Sequence, residues 1–208
     1  MFVLEVGPPL VEVRTTKKQS TGRIFVKHRV WAALALLVLC PNVADANELQ
    51  PVGLELGPGA DPYAPAVARM VRSIAEFTSW QGDDRRIRLC ILGPTDHADE
   101  IVEAPLSGGR RLVPVRYANP AASIADCEAI YIGRMSLEDQ RRIAGQAMGR
   151  DVLTIAENDP ACRSHAMFCL LFQANSLSFR LDTDAVSRSG VRVDPRVLRL
   201  QYSGKDRG

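Results

Sequence analysis

Cysteine is the residue type whose number and spacing in this chain point most directly to chemistry. The sequence of 208 residues contains five cysteines. The first lies in an apolar run that we predict is removed with an export signal, which leaves an even number in a compartment that oxidises thiols. Those that remain are Cys90, Cys127, Cys162 and Cys169. Four cysteines allow three pairings, so their positions must decide between them.

Two pairs are favoured by where the cysteines lie in the chain. Cys162 and Cys169 are close in sequence, so a link between them is the local solution. Cys90 lies in the first predicted strand, and Cys127 lies at the start of the third. Strands in those positions are commonly neighbours in a doubly wound sheet. We therefore predict the disulfides Cys90–Cys127 and Cys162–Cys169.

A metal site is the alternative use of the second pair. Cys162, His165 and Cys169 could offer three ligands to zinc, but the sequence shows no evident fourth ligand. A thiol pair in an exported protein is usually oxidised, which favours the disulfide. The redox-active Cys-x-x-Cys motif does not occur in the sequence, and this counts against a thiol oxidoreductase.

The other candidates for chemistry are weaker. His97 lies at the start of a predicted helix, where a solvated loop histidine is the simpler interpretation. Gly93-Pro94-Thr95 follows a strand and could offer backbone N–H groups to an anion. The sequence has neither the Gly-rich fingerprint of a dinucleotide site nor a Walker-type loop, and no pair of carboxylates stands out. We therefore predict a non-enzymatic protein with no catalytic residue, no cofactor and no metal.

The first 46 residues of the chain resemble an export signal. A basic flank, Lys27–Arg29, precedes an apolar run, Val30–Cys40, that is too short to span a bilayer as a helix. Ala44-x-Ala46 then matches the small-x-small pattern of cleavage sites. We predict a signal peptide over residues 1–46 and a periplasmic protein.

Two details of this N-terminal region affect the prediction. Lipid attachment at Cys40 would require a small residue before it, and Leu39 is not small. The region before Lys27 is long for a signal, so residues 1–25 are not made if translation begins at Val26. Prolines and glycines crowd residues 47–64, which predicts a linker.

Hydrophobic periodicity predicts alternating helices and strands after the linker. The first helix runs from Pro65 to Trp80 and has one buried face. The predicted order of elements is strand, helix, strand, loop, strand, helix, strand. This order implies right-handed crossovers and parallel pairing. The predicted fold is α/β, with a largely parallel central sheet, helices on both faces and an antiparallel C-terminal hairpin. Its predicted strands before the hairpin cover residues 86–93, 112–117, 129–133 and 151–156.

Single residues predict where elements begin, end or lie at an edge. Pro94-Thr95-Asp96 predicts the start of a helix that continues to Ala104. Pro114 predicts an edge position for its strand, because proline cannot donate to a neighbouring strand. Asp182 predicts the N-cap of a short helix, and Gly190 predicts its end in the left-handed conformation.

The C-terminal block contains a distinctive stretch from Phe179 through Ser187-Arg188-Ser189-Gly190-Val191 to Leu198. In this stretch the chain resembles the YfiR-like family of small periplasmic proteins. The resemblance extends in order and spacing over roughly Ala66–Leu200, and it implies a domain at 65–202 with a tail at 203–208. Further matching segments are Phe77-Thr78-Ser79-Trp80, Arg-Leu-Cys-Ile-Leu-Gly at 88–93, Asp-Cys-Glu-Ala-Ile-Tyr-Ile-Gly at 126–133 and Val-Leu-Thr-Ile at 152–155.

The resemblance carries further implications for the cysteines and the partners. The disulfide-bearing branch of the family looks similar at the four cysteine positions. The family implies a protein that binds and represses an inner-membrane diguanylate cyclase through its periplasmic sensor region, lowering cyclic-di-GMP and biofilm formation. It also implies a homodimer, and an outer-membrane lipoprotein that relieves the repression. Asp182 departs from the Asn of many members, and Ser164-His165-Ala166 departs from a Gly-rich segment.

A different class of function stays open at this point. A periplasmic small-molecule sensor feeding a receptor histidine kinase would place a ligand crevice at the carboxyl ends of the strands, near Gly93 and Gly133. Nucleic acid is not a predicted partner, because the net charge is only +2 and no basic stripe is present in the sequence.

Overall fold

The computed structural model describes residues 53–82, 85–119 and 124–201. The predicted signal peptide at 1–46 and the predicted tail at 203–208 lie outside the described residues. The described residues form strands β1 (Leu54–Glu55), β2 (Thr78–Ser79), β3 (Arg86–Leu92), β4 (Ala104–Pro105), β5 (Arg111–Tyr117), β6 (Ala129–Ile132), β7 (Leu153–Ala156), β8 (Phe168–Gln173), β9 (Ser176–Leu181) and β10 (Arg192–Val193), helices α1 (Tyr63–Glu76), α2 (Leu137–Ala147) and α3 (Thr183–Ser187), and 3₁₀ helices at Ser107–Gly109 and Pro195–Gln201.

The main sheet is mixed, in the order β1-β9-β8-β7-β6-β3-β5-β4. Its middle, from β5 through β3, β6 and β7 to β8, is parallel. The outer pairs β4–β5, β8–β9 and β9–β1 are antiparallel. The α/β class and the antiparallel hairpin were therefore right, but a largely parallel sheet was wrong. The error arose at β1 and β4, since a two-residue strand carries no periodic signal in the sequence.

Both faces of the main sheet are buried, as the apolar pattern of β3 predicted. Ile87, Leu89 and Ile91 of β3 pack on the face covered by α1. Cys90 and Leu92 of the same strand pack on the opposite face, with residues of α2. Successive side chains of a strand point to opposite faces, so this alternation requires a cover on each. β3 lies between β6 and β5 and is an interior strand.

The β3–β4 loop, residues 93–103, replaces the helix predicted from Asp96 to Ala104. A single turn forms within it, where the Ile101 N–H donates to the Ala98 carbonyl at 3.1 Å. Ala104 is extended and belongs to β4. Proline disfavours the helical conformation in the residue before it, and Pro105 follows Ala104 directly. Ala98 and Ile101 of the predicted helix are buried in the core, but from a loop, whereas Val102 is exposed.

β5 has the edge character that Pro114 predicted. β5 pairs with β3 along its whole length. On its other side it pairs with β4 only at Arg111 and Leu112. The missing N–H of Pro114 therefore costs no ladder bond on that outer side.

The short helix α3 begins as predicted and ends for a different reason. The Asp182 carboxylate accepts the Ala185 N–H at 2.9 Å, which is an N-cap bond. Gly190 is not in the left-handed conformation, because the described glycines with positive φ do not include it. A Cβ atom at Gly190 would lie 2.0 Å from an Asp151 carboxylate oxygen. Gly190 therefore leaves room for the Asp151 side chain and does not form a left-handed cap.

The predicted linker has tertiary contacts at both ends of its described part, because Leu54 and Leu56 pack on the core and Tyr63 and Ala64 already belong to α1. Leu54 of β1 pairs with Leu177 of β9. A Cβ atom at Gly53 would lie 2.5 Å from the Leu177 carbonyl oxygen, so only glycine lets the chain approach β9 this closely. We call residues 53–62 the N-terminal strap. Its Pro/Gly composition is that of a linker, but its contacts are tertiary and leave no local pattern.

Candidate functional site

The structure brings the four predicted cysteines together in the two favoured pairs. Cys90 of β3 and Cys127 have a Cα–Cα distance of 5.8 Å and an S–S distance of 1.95 Å. Cys162 and Cys169 have a Cα–Cα distance of 5.5 Å and an S–S distance of 1.92 Å. Both Cα–Cα distances lie in the range of protein disulfides.

The Cys162–Cys169 loop has a strained backbone and no zinc geometry. Cys162 and His165 have φ of 54° and 62°, in the left-handed region that side chains other than glycine rarely adopt. The His165 Nδ1 atom lies 3.6 Å from an Asp182 carboxylate oxygen. In the part of the chain that the structure describes, no three His, Cys, Asp or Glu side chains come together as metal ligands.

The carboxyl ends of the parallel strands were the predicted place for a ligand crevice. A Cβ atom at Gly133, directly after β6, would lie 2.3 Å from the Pro94 carbonyl oxygen. The Gly133 N–H donates to the Leu92 carbonyl at 3.0 Å, and the Arg134 N–H donates to the Pro94 carbonyl at 2.6 Å. The backbone of the β3–β4 loop therefore fills the space over β3 and β6.

Glu157 fixes this loop, and sequence reasoning did not find it. Its side chain follows β7 and is buried, with a relative exposure of 1%. One carboxylate oxygen accepts the Asp96 N–H at 3.0 Å, and the other accepts the His97 N–H at 2.8 Å. A charged residue directly after a four-residue buried strand was the signal that the sequence offered. Carboxylates placed so are held by charge-assisted hydrogen bonds.

Asp96 and Ala98 give the loop three further attachments. The Asp96 carboxylate accepts from the Arg134 guanidinium and from the Asn158 amide, both at 2.8 Å. The Arg116 guanidinium of β5 donates to the Ala98 carbonyl at 2.5 Å. Each of these bonds joins the loop to a different strand end, so the loop is held from several directions.

Tyr131 lies in the interior near Glu157. Its hydroxyl is buried and has no hydrogen-bond partner among the described residues. Burial, with the Glu157 carboxylate as the second cause, raises the pKa of Tyr131 well above its usual range. Tyr131 is therefore a neutral phenol in the interior, and the Glu157 carboxylate is its nearest candidate acceptor.

His97 is an anchor for the N-terminal strap and not the solvated histidine that the sequence suggested. Its Nδ1 atom lies 3.0 Å from both carboxylate oxygens of Asp61. Its ring centroid lies 4.9 Å from that of Tyr63 and 4.8 Å from that of Phe172. Burial raises the pKa of Asp61, but hydrogen bonds from His97 and the Tyr63 N–H outweigh this and hold that pKa below its usual range.

A recess of about 360 Å³ opens at the other end of the sheet. It is lined by Arg86 and Arg88 of β3, Val113 of β5, and Glu128. The Arg88 guanidinium lies 3.7 Å from the exposed Asp126 carboxylate. The Glu128 carboxylate accepts the Arg88 N–H at 2.7 Å. This is a polar surface depression, open to solvent.

The aromatic pair at the end of α1 has structural roles. The Trp80 indole N–H donates to the Glu128 carbonyl at 2.8 Å. The Arg110 guanidinium lies 5.9 Å from the Trp80 ring centroid, and the Arg196 guanidinium lies 6.0 Å from that of Phe77. Both rings are thus covered by cationic side chains of the same chain. Packing accounts for this motif without a partner.

The protein-family model described as YfiR/HmsC-like matches residues 65–201 of the chain. The match covers more than half of the chain and includes both cysteine pairs. The chain belongs to the YfiR/HmsC-like family.

Membership in the YfiR/HmsC-like family indicates the class of protein and its cellular location. The family indicates a regulatory and not a catalytic protein. It indicates a periplasmic regulator of cyclic-di-GMP signalling. Within the ranges that the structure describes, no helix is long and apolar enough to cross a membrane. Asp182 caps its helix in this member of the family.

Proposed function

We propose that this chain is exported to the periplasm, where it binds the periplasmic sensor region of an inner-membrane diguanylate cyclase and represses it. Repression lowers cyclic-di-GMP and biofilm formation. The proposal includes a homodimer and relief of repression by an outer-membrane lipoprotein. Family membership over residues 65–201 is the observation that carries it.

The filled carboxyl end of the sheet supports a protein-binding regulator over a small-molecule sensor. A sensor of the predicted kind needs an open crevice near Gly93 and Gly133. The Pro94 carbonyl occupies that space, since a Cβ atom at Gly133 would lie 2.3 Å from it. Glu157 occupies the two loop N–H groups that an anionic ligand would use.

The two cross-links suit a protein that acts by binding. A regulator without an active site must bind the inactive state of its target more tightly than the active state. A complete switch needs a preference of about 5.5 kcal/mol. A surface that is already ordered loses less entropy on binding, so more of the contact energy remains for that preference.

A small-molecule sensor is the second candidate, and the recess at Arg86 and Arg88 is the observation that favours it. The recess has a volume of about 360 Å³, within the range of small-ligand sites. Two guanidinium groups there would suit an anionic ligand. Its place differs from the crevice expected of a doubly wound sheet, because it does not lie at the carboxyl ends of the strands.

The test measures cyclic-di-GMP in cells with and without the gene. We expect deletion to raise cyclic-di-GMP and surface attachment, and the full chain to restore the low level. A chain that lacks residues 1–46 is the matched control, and it should fail to restore because it is not exported. Pull-down of the exported domain should recover an inner-membrane protein with a periplasmic sensor region. Unchanged cyclic-di-GMP, with recovery of a receptor kinase, would replace this proposal with the sensor.

A further inference from the structure

The environment of Glu157 resembles an occupied anion site. Open α/β sheets bind anionic ligands outside the carboxyl ends of their strands, through N–H groups of the loop after a strand. Here the donors are the N–H groups of Asp96 and His97, in the loop after β3. The acceptor is a carboxylate of the chain itself, on a side chain with a relative exposure of 1%.

We propose that Glu157 is a built-in anion: its carboxylate fills an oxyanion site formed by the Asp96 and His97 N–H groups and keeps the β3–β4 loop closed, and a free carboxylate can bind in its place only once this side chain has been removed. The buried Tyr131 hydroxyl is the second observation that points to such a site. It faces the Glu157 carboxylate, whose charge and hydrogen bonding both contribute to the raised pKa of Tyr131, although no hydrogen bond of full geometry to the hydroxyl forms among the described residues. It is therefore a third donor directed at the same carboxylate.

The same contact links two distant parts of the chain. Glu157 holds the His97 backbone at 2.8 Å, and the His97 ring holds Asp61 of the N-terminal strap at 3.0 Å. Asp61 in turn accepts the Tyr63 N–H at the start of α1 at 3.0 Å. Loss of the Glu157 carboxylate should therefore loosen the β3–β4 loop first and the strap second.

Acetate is the probe that fits the vacated space. Replacing glutamate by alanine removes one methylene group and the carboxylate, which together have the size of acetate. A ligand that binds only the folded state raises its stability in proportion to the logarithm of ligand concentration. Glu157→Gln is the matched control, because its side chain fills the same volume and leaves no room for acetate.

The decisive measurement is the urea midpoint of Glu157→Ala in sodium acetate and in sodium chloride of equal ionic strength. We expect acetate to raise the midpoint of Glu157→Ala, with saturation, and to leave those of the wild type and Glu157→Gln equal to their chloride values. Equal midpoints of Glu157→Ala in the two salts, or an equal acetate effect in all three proteins, would refute the built-in anion.

Hydrogen exchange of Glu157→Gln tests the proposal even if Glu157→Ala does not fold. The glutamine can accept only one of the two N–H groups and has lost the charge. Loss of a hydrogen bond to a charged group should speed local amide exchange about tenfold to a hundredfold. We expect this at Asp96 and His97, with a smaller change in the strap and none at the Leu153 amide, which donates to the Glu128 carbonyl. Unchanged exchange at Asp96 and His97 would contradict the proposal.

Discussion

The two ends of the parallel strands differ in the burial of a charged group: one end holds a buried, hydrogen-bonded carboxylate, and the other holds an exposed ion pair. At the carboxyl end, the buried Glu157 carboxylate accepts two backbone N–H groups, and the loop backbone covers Gly133. At the amino end, the Arg88 guanidinium and the Asp126 carboxylate are exposed by 46% and 84% and lie 3.7 Å apart. Exposed pairs of this kind contribute little to stability, whereas a buried carboxylate must keep its partners.

The difference bears on where this protein can act. Ligand chemistry in an α/β sheet usually uses the carboxyl end, and here that end is occupied by the chain's own backbone and carboxylate. Opening it would break several hydrogen bonds at once. The amino end keeps an open, polar recess at Arg86 and Arg88. The two ends therefore differ in how closely they are packed and hydrogen-bonded, and stability measurements can test that difference.

The largest expected effects come from the cross-links, one near each end. Cys127 precedes the recess residue Glu128, and its link to Cys90 spans 37 residues. The link that follows β7 spans 7 residues. Loop entropy gives about 4 kcal/mol for the long link and about 2.5 kcal/mol for the short one. We expect Cys90→Ala/Cys127→Ala to lower the free energy of unfolding more than Cys162→Ala/Cys169→Ala, as measured by urea denaturation.

The backbone at the short link sharpens this expectation. Cys162 has a φ of 54°, a conformation that costs free energy for a residue with a side chain. Without the cross-link this residue can relax, which should reduce the loss further. Should the Cys162→Ala/Cys169→Ala protein prove the less stable of the two, residual structure in the unfolded chain would have outweighed loop length.

Gly133 tests how tightly the carboxyl end is closed. Alanine at this position would bring Cβ to 2.3 Å from the Pro94 carbonyl oxygen, and backbone atoms must move to relieve the clash. Overpacking of this kind costs about 1–3 kcal/mol. We expect Gly133→Ala to lower the free energy of unfolding by about that amount in a urea titration.

Gly145 supplies the matched control for Gly133→Ala. It lies in α2, is exposed, and a Cβ atom there would meet nothing within 4 Å. Alanine is favoured over glycine in a helix by up to about 1 kcal/mol, so Gly145→Ala should stabilise. If Gly133→Ala were also neutral or stabilising, the closed carboxyl end would have to be abandoned.

The cysteine pairs and the adjacency of β3 and β6 could be inferred from the sequence. Cys90 and Cys127 could be paired because the first and third strands of a doubly wound sheet are commonly neighbours. β1 and β4 could not be predicted, because two residues carry no period. The helix expected at Asp96–Ala104 failed because tertiary bonds to Glu157 and the following Pro105 override a weak apolar pattern.

Only the place of the candidate site could be read from the sequence. Gly93 and Gly133 marked the carboxyl end, and a crevice there was expected only under the alternative of a small-molecule sensor. This end is closed by contacts between residues far apart in the sequence. Glu157 and His97 are 60 positions apart, and His97 and Asp61 are 36 positions apart. Contacts over such separations leave no local pattern in a single sequence. The role of His97 as an anchor was therefore invisible, although the residue itself was noticed.

The smallest expected effect is a pH dependence that differs between the two ends. The pKa of Asp61 is below its usual range, because hydrogen bonds from His97 and the Tyr63 N–H outweigh the opposing effect of burial. A folded-state pKa below the unfolded value of about 3.9 stabilises the protein above that pH, and this stability is lost as the pH falls through the folded value.

We expect Asp61→Asn to lower the free energy of unfolding by less than about 1 kcal/mol at pH 6, since the carboxylate is partly exposed. Asparagine retains the N-terminal capping bond, so the change reports the charge. The difference in free energy of unfolding between wild type and Asp61→Asn should shrink once the pH falls below about 4.

Asp126→Asn, at the exposed amino end, is the control and should differ very little from the wild type at either pH. A difference for Asp61→Asn that stays constant from pH 6 to pH 3 would mean that shape, and not the ionised carboxylate, holds the N-terminal strap to His97.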